Sequence, residues 1–164
     1  MRLVKLYRAC LDNAENLLSE ACLLFEHAHY ARAYVLAHTA WEEIGKSQIV
    51  ADYAHDMVSK QEFEAAFKDH KLKSAYNWRQ FELNPDDLPN STITYDRSRA
   101  EATYGKRQQA LYVEKASDYE PIEPKNEVPA QNAEVAIKAV KGKLSEIRKA
   151  GYLSERIGSK SFLK

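Results

Sequence analysis

The sequence has few cysteines, few glycines and no long apolar run. Its 164 residues include two cysteines, five glycines and five prolines. Cys10 and Cys22 lie twelve residues apart on one predicted helix, which separates them by about 18 Å, so neither a disulfide between them nor a zinc site is expected. No stretch approaches the roughly 18 apolar residues of a membrane span, and the N-terminus lacks a signal peptide's apolar segment. We therefore expect a cytoplasmic protein that does not enter the membrane.

The charge of the chain is balanced overall but uneven along its length. Lys and Arg total 24, as do Asp and Glu, which excludes a global attraction to nucleic acid or to anionic lipid. Residues 138–164 nevertheless carry eight basic and two acidic side chains. Such a run is most often a solvated helix face followed by a disordered end. We expect a single domain over residues 1–150 and a basic C-terminal tail over residues 151–164.

Apolar residues recur at three- and four-residue steps along most of the chain, which is the period of an amphipathic helix. The pattern predicts an all-α antiparallel helical bundle of about five helices, the first two forming a long hairpin. Ser59 followed by Glu62 predicts a capping box, and Asp96 or Ser98 could cap the fourth helix. Proline-containing loops are expected at 84–95 and 118–130, with a weak strand signal in STITY. The helices are expected at about 3–27, 30–56, 60–82 and 130–150, with the fourth running from its cap to about 117.

Three predicted helices carry polar side chains on faces that a bundle would bury. Glu42, Glu43 and Lys46 lie among mostly apolar residues of the second helix, His70 lies between aromatics on the third, and Arg107 is in line with apolar residues of the fourth. Ionised groups on a core-facing helix are costly unless they are paired and hydrogen-bonded. We therefore expect these side chains to pair with one another or to bind a ligand.

The residue types in this set leave three possibilities. Arg107 or Lys46 could pair with Glu43 in a buried ion network that only fixes helix register. Alternatively, His70 could act as an acid or base near neutral pH while Lys46 or Arg107 stabilises charge on a phosphate. A metal site is disfavoured, because Lys46 stands where a Glu-x-x-His pair would need its histidine. We expect no metal and no cofactor.

Arg32 and His38 are separated by five residues, a spacing that some ribonucleases use. Six helical steps place the two side chains about 120° apart around the axis, so in the middle of a helix they would not converge.

Four segments of the chain resemble the AbiV-type branch of the HEPN superfamily over about residues 5–150. They are YARAY at 30–34, WEEIGK at 41–46, HKLK at 70–73 and RQQALYV at 107–113. One departure is Glu114, where the family more often has Asp.

The resemblance implies an antiparallel bundle, usually a homodimer, with a role in bacterial defence against phage. Many HEPN proteins are metal-independent endoribonucleases in which an Arg and a nearby His at a helix start meet those of a second protomer. Here no histidine follows His70, so Arg107 cannot begin that motif, and only Arg32 and His38 fit its spacing.

We therefore expect an abortive-infection effector that acts on RNA or translation as an endoribonuclease-like toxin. The alternative is a non-catalytic dimerisation or binding module with a structural polar cluster. The expected partners are a second copy of the chain, RNA, and a phage protein or antitoxin. The expected catalytic residues are Glu43, Lys46, His70 and Arg107. Residues expected to support binding or structure are Arg32, Glu42, Lys71, Lys73 and Tyr112. The sequence also has more large aromatic residues than the core of one five-helix bundle is expected to hold, which predicts that some of them form an interface. These residues are Tyr30, Tyr34, Trp41, Tyr53 and Trp78.

Overall fold

A computed structural model describes residues 2–82 and 92–149 of the chain. Residues 84–91 of the loop predicted over 84–95, the end of the last helix at Gly151 and the basic tail lie outside the described residues. Within them, the structure has seven helices and two short two-stranded sheets, which confirms the all-α class. The helices are α1 Arg2–Glu26, α2 Tyr30–Ala54, α3 Lys60–Lys68, α4 His70–Ala75, α5 Arg97–Leu111, α6 Pro124–Glu127 and α7 Ala130–Lys149.

Helix α2 is the central element of the bundle. It forms the predicted long hairpin with α1 and also contacts α4, α5 and α7. The hairpin turns at Ala28, whose φ of 59° is left-handed. Because neighbours surround α2, its apolar residues are spread around most of its circumference, as expected of a helix in the middle of a bundle. Tyr7, Leu11 and Ile44 belong to the core on the α1 side. No helix in the described ranges is both long and apolar enough to span a bilayer.

The prediction of one continuous helix over 60–82 is wrong, because the chain breaks at Asp69. The carboxylate of Asp69 accepts hydrogen bonds from the backbone N–H groups of Lys71 and Leu72 at 2.8 and 3.0 Å. A short acidic side chain that binds nearby backbone N–H groups ends one helix and begins another. Helix α3 therefore stops at Lys68 and α4 starts at His70 in a new direction. The capping box of Ser59 and Glu62 is confirmed at the start of α3, as is the cap at Asp96 on α5.

The last part of that predicted helix is a strand. After a 3₁₀ turn at Tyr76–Trp78, strand β1 (Arg79–Glu82) pairs antiparallel with β2 (Thr92–Tyr95), so the weak strand signal in STITY is confirmed. A second pair joins β3 (Glu114–Lys115) to β4 (Pro121–Ile122). Helix α5 accordingly ends at Leu111, earlier than the predicted 117.

The five aromatic residues that were predicted to be too many for the core of one bundle all pack against other residues of the same chain. Tyr30 contacts Phe25, Tyr34 contacts His38, Tyr53 stacks on Phe63, and the two tryptophans pack on each other with ring centroids 5.1 Å apart. Their number is therefore no argument for an interface, and the homodimer stays a prediction.

Candidate functional site

Helix α4 lies against the middle of α2, and Gly45 makes this close packing possible. A Cβ atom at position 45 would lie 1.8 Å from the backbone carbonyl oxygen of Lys73. Two hydrogen bonds hold α2 against α4 and the 3₁₀ turn that follows it (Tyr76–Trp78). Trp41 Nε1 donates to the carbonyl oxygen of Ser74 at 3.2 Å, and Asn77 Nδ2 donates to the carbonyl oxygen of Trp41 at 2.7 Å. The position of α4 is therefore fixed by residues on either side of the predicted polar set.

Five ionisable side chains lie on α2 and α4 where these two helices pack together, and we call them the polar cluster: Glu42, Glu43, Lys46, His70 and Lys73. Its centre is a hydrogen bond of 2.8 Å between His70 Nδ1 and Glu42 Oε2. The Glu42 side chain is only 4% exposed, whereas that of His70 is 49% exposed. With Glu42 ionised, Nδ1 is the donor, so a neutral His70 has its second nitrogen, Nε2, available to accept a proton.

Glu42 is ionised because two histidines compensate for its burial. Burial by itself would raise the pKa of Glu42, but the contacts with His38 and His70 outweigh it and hold the pKa below its ordinary value. His38 Nδ1 lies 3.4 Å from Glu42 Oε1, which is ion-pair distance but falls outside hydrogen-bond geometry. The buried carboxylate thus has one strong hydrogen-bond partner at the surface and a weaker contact on its inner side.

Glu43 and Lys46 pair with each other one helical turn apart. Their side chains are 12% and 22% exposed, so water partly screens the ion pair. The Lys46 ammonium also lies 5.7 Å from the ring centroid of Phe67. Of the two partners that the sequence allowed for Glu43, the structure therefore selects Lys46.

Lys73 is the member of the polar cluster that sequence reasoning undervalued. It is buried, with 5% of its surface exposed. Burial lowers its pKa below the ordinary value for lysine, and the nearby carboxylate of Glu42 opposes this shift. A helical spacing of three from His70 could have signalled that the two side chains share a face.

The structure does not join Arg107 to the polar cluster. Tyr104 on α5 lies beside His70, with ring centroids 6.1 Å apart, and Arg107 follows one turn later, half-buried. Its Nε has no hydrogen-bond partner in the described part of the chain. Within those residues, no hydrogen bond or ion pair connects Arg107 to Glu43, Lys46 or His70.

Of the five supporting residues predicted from the sequence, Glu42 and Lys73 belong to the polar cluster, and the other three do not. Arg32 is exposed and borders a separate cavity of about 310 Å³ at the start of α2, whereas His38 is buried, so these two side chains do not converge. Lys71 forms an exposed ion pair with Glu101 at 3.2 Å. Tyr112 is exposed just after α5. Among residues 2–82 and 92–149, no group of three or more His, Cys, Asp or Glu is placed to hold a metal ion.

A comparison with protein families identifies the chain. A family model of the HEPN type, described as AbiV, matches residues 2–144. The chain belongs to the AbiV family. The matched region contains the entire polar cluster, both sheets and all the helices except the last turns of α7. No curated protein and no solved structure matches the chain.

In this AbiV-family protein, the polar cluster has the features of a proton-transfer site. A half-exposed imidazole is oriented by a buried carboxylate, and two lysines lie on neighbouring turns. Such an arrangement holds one tautomer of the histidine, with Nδ1 facing the carboxylate and Nε2 left as the possible proton acceptor. The two lysines could attract an anionic group.

Proposed function

We propose that this AbiV-family protein is an abortive-infection effector that cleaves RNA without a metal ion, with His70 as its general base. The observation that carries the proposal is the hydrogen bond of 2.8 Å between half-exposed His70 and buried, ionised Glu42. A histidine that served only the packing of the core would not need one face in solvent. Glu42, which the sequence suggested only as a supporting residue, is here the residue that orients His70.

The chemistry follows from what such a pair does to a ribose hydroxyl. His70 Nε2 would take the proton of a 2′-hydroxyl, whose oxygen then forms a bond to the adjacent phosphorus atom. The bond from phosphorus to the 5′ oxygen breaks, and the departing oxygen takes a proton from water. Negative charge builds on the phosphate oxygens during this step, and cationic side chains stabilise it.

Lys46 and Arg107 are the proposed phosphate-binding cations, with Glu43 holding Lys46 in place. Support for Lys46 is its partly exposed ammonium on the same helix as Glu42. Support for Arg107 is its place on α5 one turn after Tyr104, which lies beside His70.

A second copy of the chain is part of the proposal, because superfamily resemblance implies a site completed where two protomers meet. A phage protein or an antitoxin is the proposed trigger or restraint. Sedimentation at micromolar concentration tests the dimer, and a monomer under those conditions would remove the composite site.

The proposal predicts that cleavage depends on the pair and not on the neighbouring surface charges. His70→Gln should lower the rate of RNA cleavage, measured with a chelator present, by about 10²–10⁴-fold, which is the usual contribution of a general base. Glu42→Gln keeps the side-chain shape but removes the charge that orients His70, and should lower the rate at least about 100-fold. Arg107→Ala should also abolish cleavage while leaving the fold intact.

Glu101→Gln is the matched control, because Glu101 is an exposed carboxylate that pairs with Lys71 beside His70. It should cleave RNA at the wild-type rate. If His70→Gln and Arg107→Ala cut RNA as well as wild type does, the proposed activity is refuted.

The second candidate function is a non-catalytic dimerisation or binding module. It is favoured by the internal pairing of Glu43 with Lys46 and by the hydrogen bonds from Trp41 and Asn77 that hold α4 on α2. It predicts no turnover of any nucleic acid. It also predicts a loss of about 1.5–3 kcal/mol on Glu42→Ala, because that change removes the hydrogen bond between the Glu42 carboxylate and His70. An unchanged melting temperature in Glu42→Ala would count against this structural role.

A further inference from the structure

The β-hairpin formed by β3 and β4 carries a tyrosine in solvent at its tip. Tyr119 is 78% exposed, and its φ of 69° is left-handed, as in the tight turn that joins the two strands. The Lys115 ammonium lies 4.8 Å from the centroid of its ring. Asp118 and Glu120, on either side of Tyr119, are exposed as well. The tip of the β-hairpin is therefore an aromatic ring flanked by two carboxylates.

A cavity of about 310 Å³, which we call the α2 cavity, lies at the foot of the same β-hairpin. Its wall is formed by residues 28–32 at the start of α2, by Val113 just before β3 and by residues 123–125 just after β4. Alanine, tyrosine, valine and proline side chains make up much of this wall, and Val113 is itself 64% exposed. The volume is at the lower end of the roughly 300–1,000 Å³ that drug-sized ligands fill. The α2 cavity therefore suits one large side chain with an apolar body.

The charge at the α2 cavity is opposite to the charge of the hairpin tip. Arg32 is exposed at the wall, and no ion pair or hydrogen bond joins its guanidinium to another residue of the described ranges. Lys125 at the same wall already pairs with Glu123 at 2.5 Å. Arg32 is thus the charge of this wall that lacks an opposite neighbour. A guanidinium in this position would pair with a carboxylate that a partner brings.

We propose that two copies of the chain exchange their β-hairpins, so that Tyr119 of each copy enters the α2 cavity of the other. Glu120 of the entering tip then pairs with Arg32. We choose Glu120 because the Asp118 carboxylate already accepts a hydrogen bond from the Glu120 backbone N–H at 3.3 Å.

The position of the two surfaces explains why the occupant is a second copy. The tip and the α2 cavity lie at opposite ends of one β-hairpin, since Val113 and Glu123 at its foot line the cavity. A two-fold axis that sets two β-hairpins side by side in opposite directions therefore places each tip at the other's cavity. Such a contact is self-complementary and closes at two copies. The inference rests on the dimer of the proposed function and adds the surface that forms it, without using His70 or RNA cleavage.

Tyr119→Asn tests the aromatic part of the contact. Sedimentation equilibrium of the full chain measures the dissociation constant of the dimer, and this variant should raise it about tenfold or more, because a buried tyrosine is a frequent interface hot spot. Asparagine tolerates the left-handed backbone of the turn, so the variant should fold normally. Met57→Asn is the matched control. Met57 is an exposed apolar residue at the opposite end of α2 from the cavity, and this variant should dimerise as wild type does.

A charge exchange tests the ionic part of the contact. Arg32→Glu and Glu120→Arg should each raise the dissociation constant about tenfold or more, because each places like charges against one another at both contacts. The double variant with both changes restores opposite charges across the interface and should recover most of the wild-type affinity. Damage to the fold could not produce such a recovery.

Two results would overturn the exchange of β-hairpins while leaving the proposed cleavage standing. They are a wild-type dimer whose dissociation constant does not change in Tyr119→Asn, and a double variant at positions 32 and 120 that dimerises no better than either single variant. A wild-type chain that stays monomeric at micromolar concentration would overturn both this exchange and the composite site. The effect of His70→Gln on RNA cleavage decides the proposed activity independently of all three.

Discussion

Gly45 lies where the backbone of α4 leaves no room for a side chain on α2. An alanine at this position would place its Cβ 1.8 Å from the carbonyl oxygen of Lys73 and 2.7 Å from the carbonyl carbon. Ordinary contacts of this kind begin at about 3.4 Å, so α4 must move away by more than an ångström. The atoms in the way belong to the backbone of Lys73, which cannot move to another rotamer as a side chain can.

The expected magnitude follows from two opposing effects. Alanine is the better helix former by about 1 kcal/mol, whereas overpacking a close contact costs about 1–3 kcal/mol and more where backbone must shift. The shift would also stretch the hydrogen bond between Glu42 and His70, which crosses the same helix pair. We expect Gly45→Ala to lose about 2 kcal/mol net, which lowers the melting temperature by about 6 °C for a chain of this size.

Thermal unfolding followed by circular dichroism measures this loss, and the chain offers a matched control. Gly142 also lies within a helix, but a Cβ added there would meet nothing within 4 Å. Gly142→Ala should therefore raise the melting temperature by about 3 °C through helix propensity alone. If Gly45→Ala is as stable as Gly142→Ala, the close approach of α2 and α4 is refuted.

Two further predictions concern other contacts of α2. Burial raises the pKa of Asp52 to about 6, although Arg79, whose Nη1 lies 2.9 Å from Asp52 Oδ2, opposes the shift. The carboxylate of Asp52 therefore binds a proton more tightly in the folded state than in the unfolded chain. Stability should accordingly fall by up to about 3 kcal/mol as pH rises from about 4 to about 6. Asp52→Asn should flatten this dependence in urea unfolding, and parallel curves for the two proteins would contradict the assignment. Asn77→Ala should lose about 0.5–1.5 kcal/mol in the same assay, because it removes the hydrogen bond that crosses to the carbonyl oxygen of Trp41 on α2. A loss below about 0.5 kcal/mol would show that this hydrogen bond does not hold α4.

Local signals in the sequence were sufficient wherever a few neighbouring residues decide the outcome. The capping box of Ser59 and Glu62 depends on a spacing of three residues and on backbone groups that every helix start exposes. The hairpin of α1 and α2 follows from two long apolar periods separated by a short break. In contrast, the break at Asp69 was missed, since the helical period of its flanking residues continues across it and aspartate is tolerated within helices.

The sequence by itself determined the family, the helical class and the helix that carries the polar cluster. Only the tertiary structure decided which of the two neighbouring carboxylates, Glu42 or Glu43, contacts His70. Glu42 and Glu43 differ by about 100° around α2, and a helix with apolar residues on nearly every face does not reveal which of these directions points to α4. That choice depends on Gly45, whose missing side chain lets α4 approach on one side. The same packing buries Lys73 and places His70 at the surface, because a residue's burial depends on its neighbours' positions and not on its own helix alone.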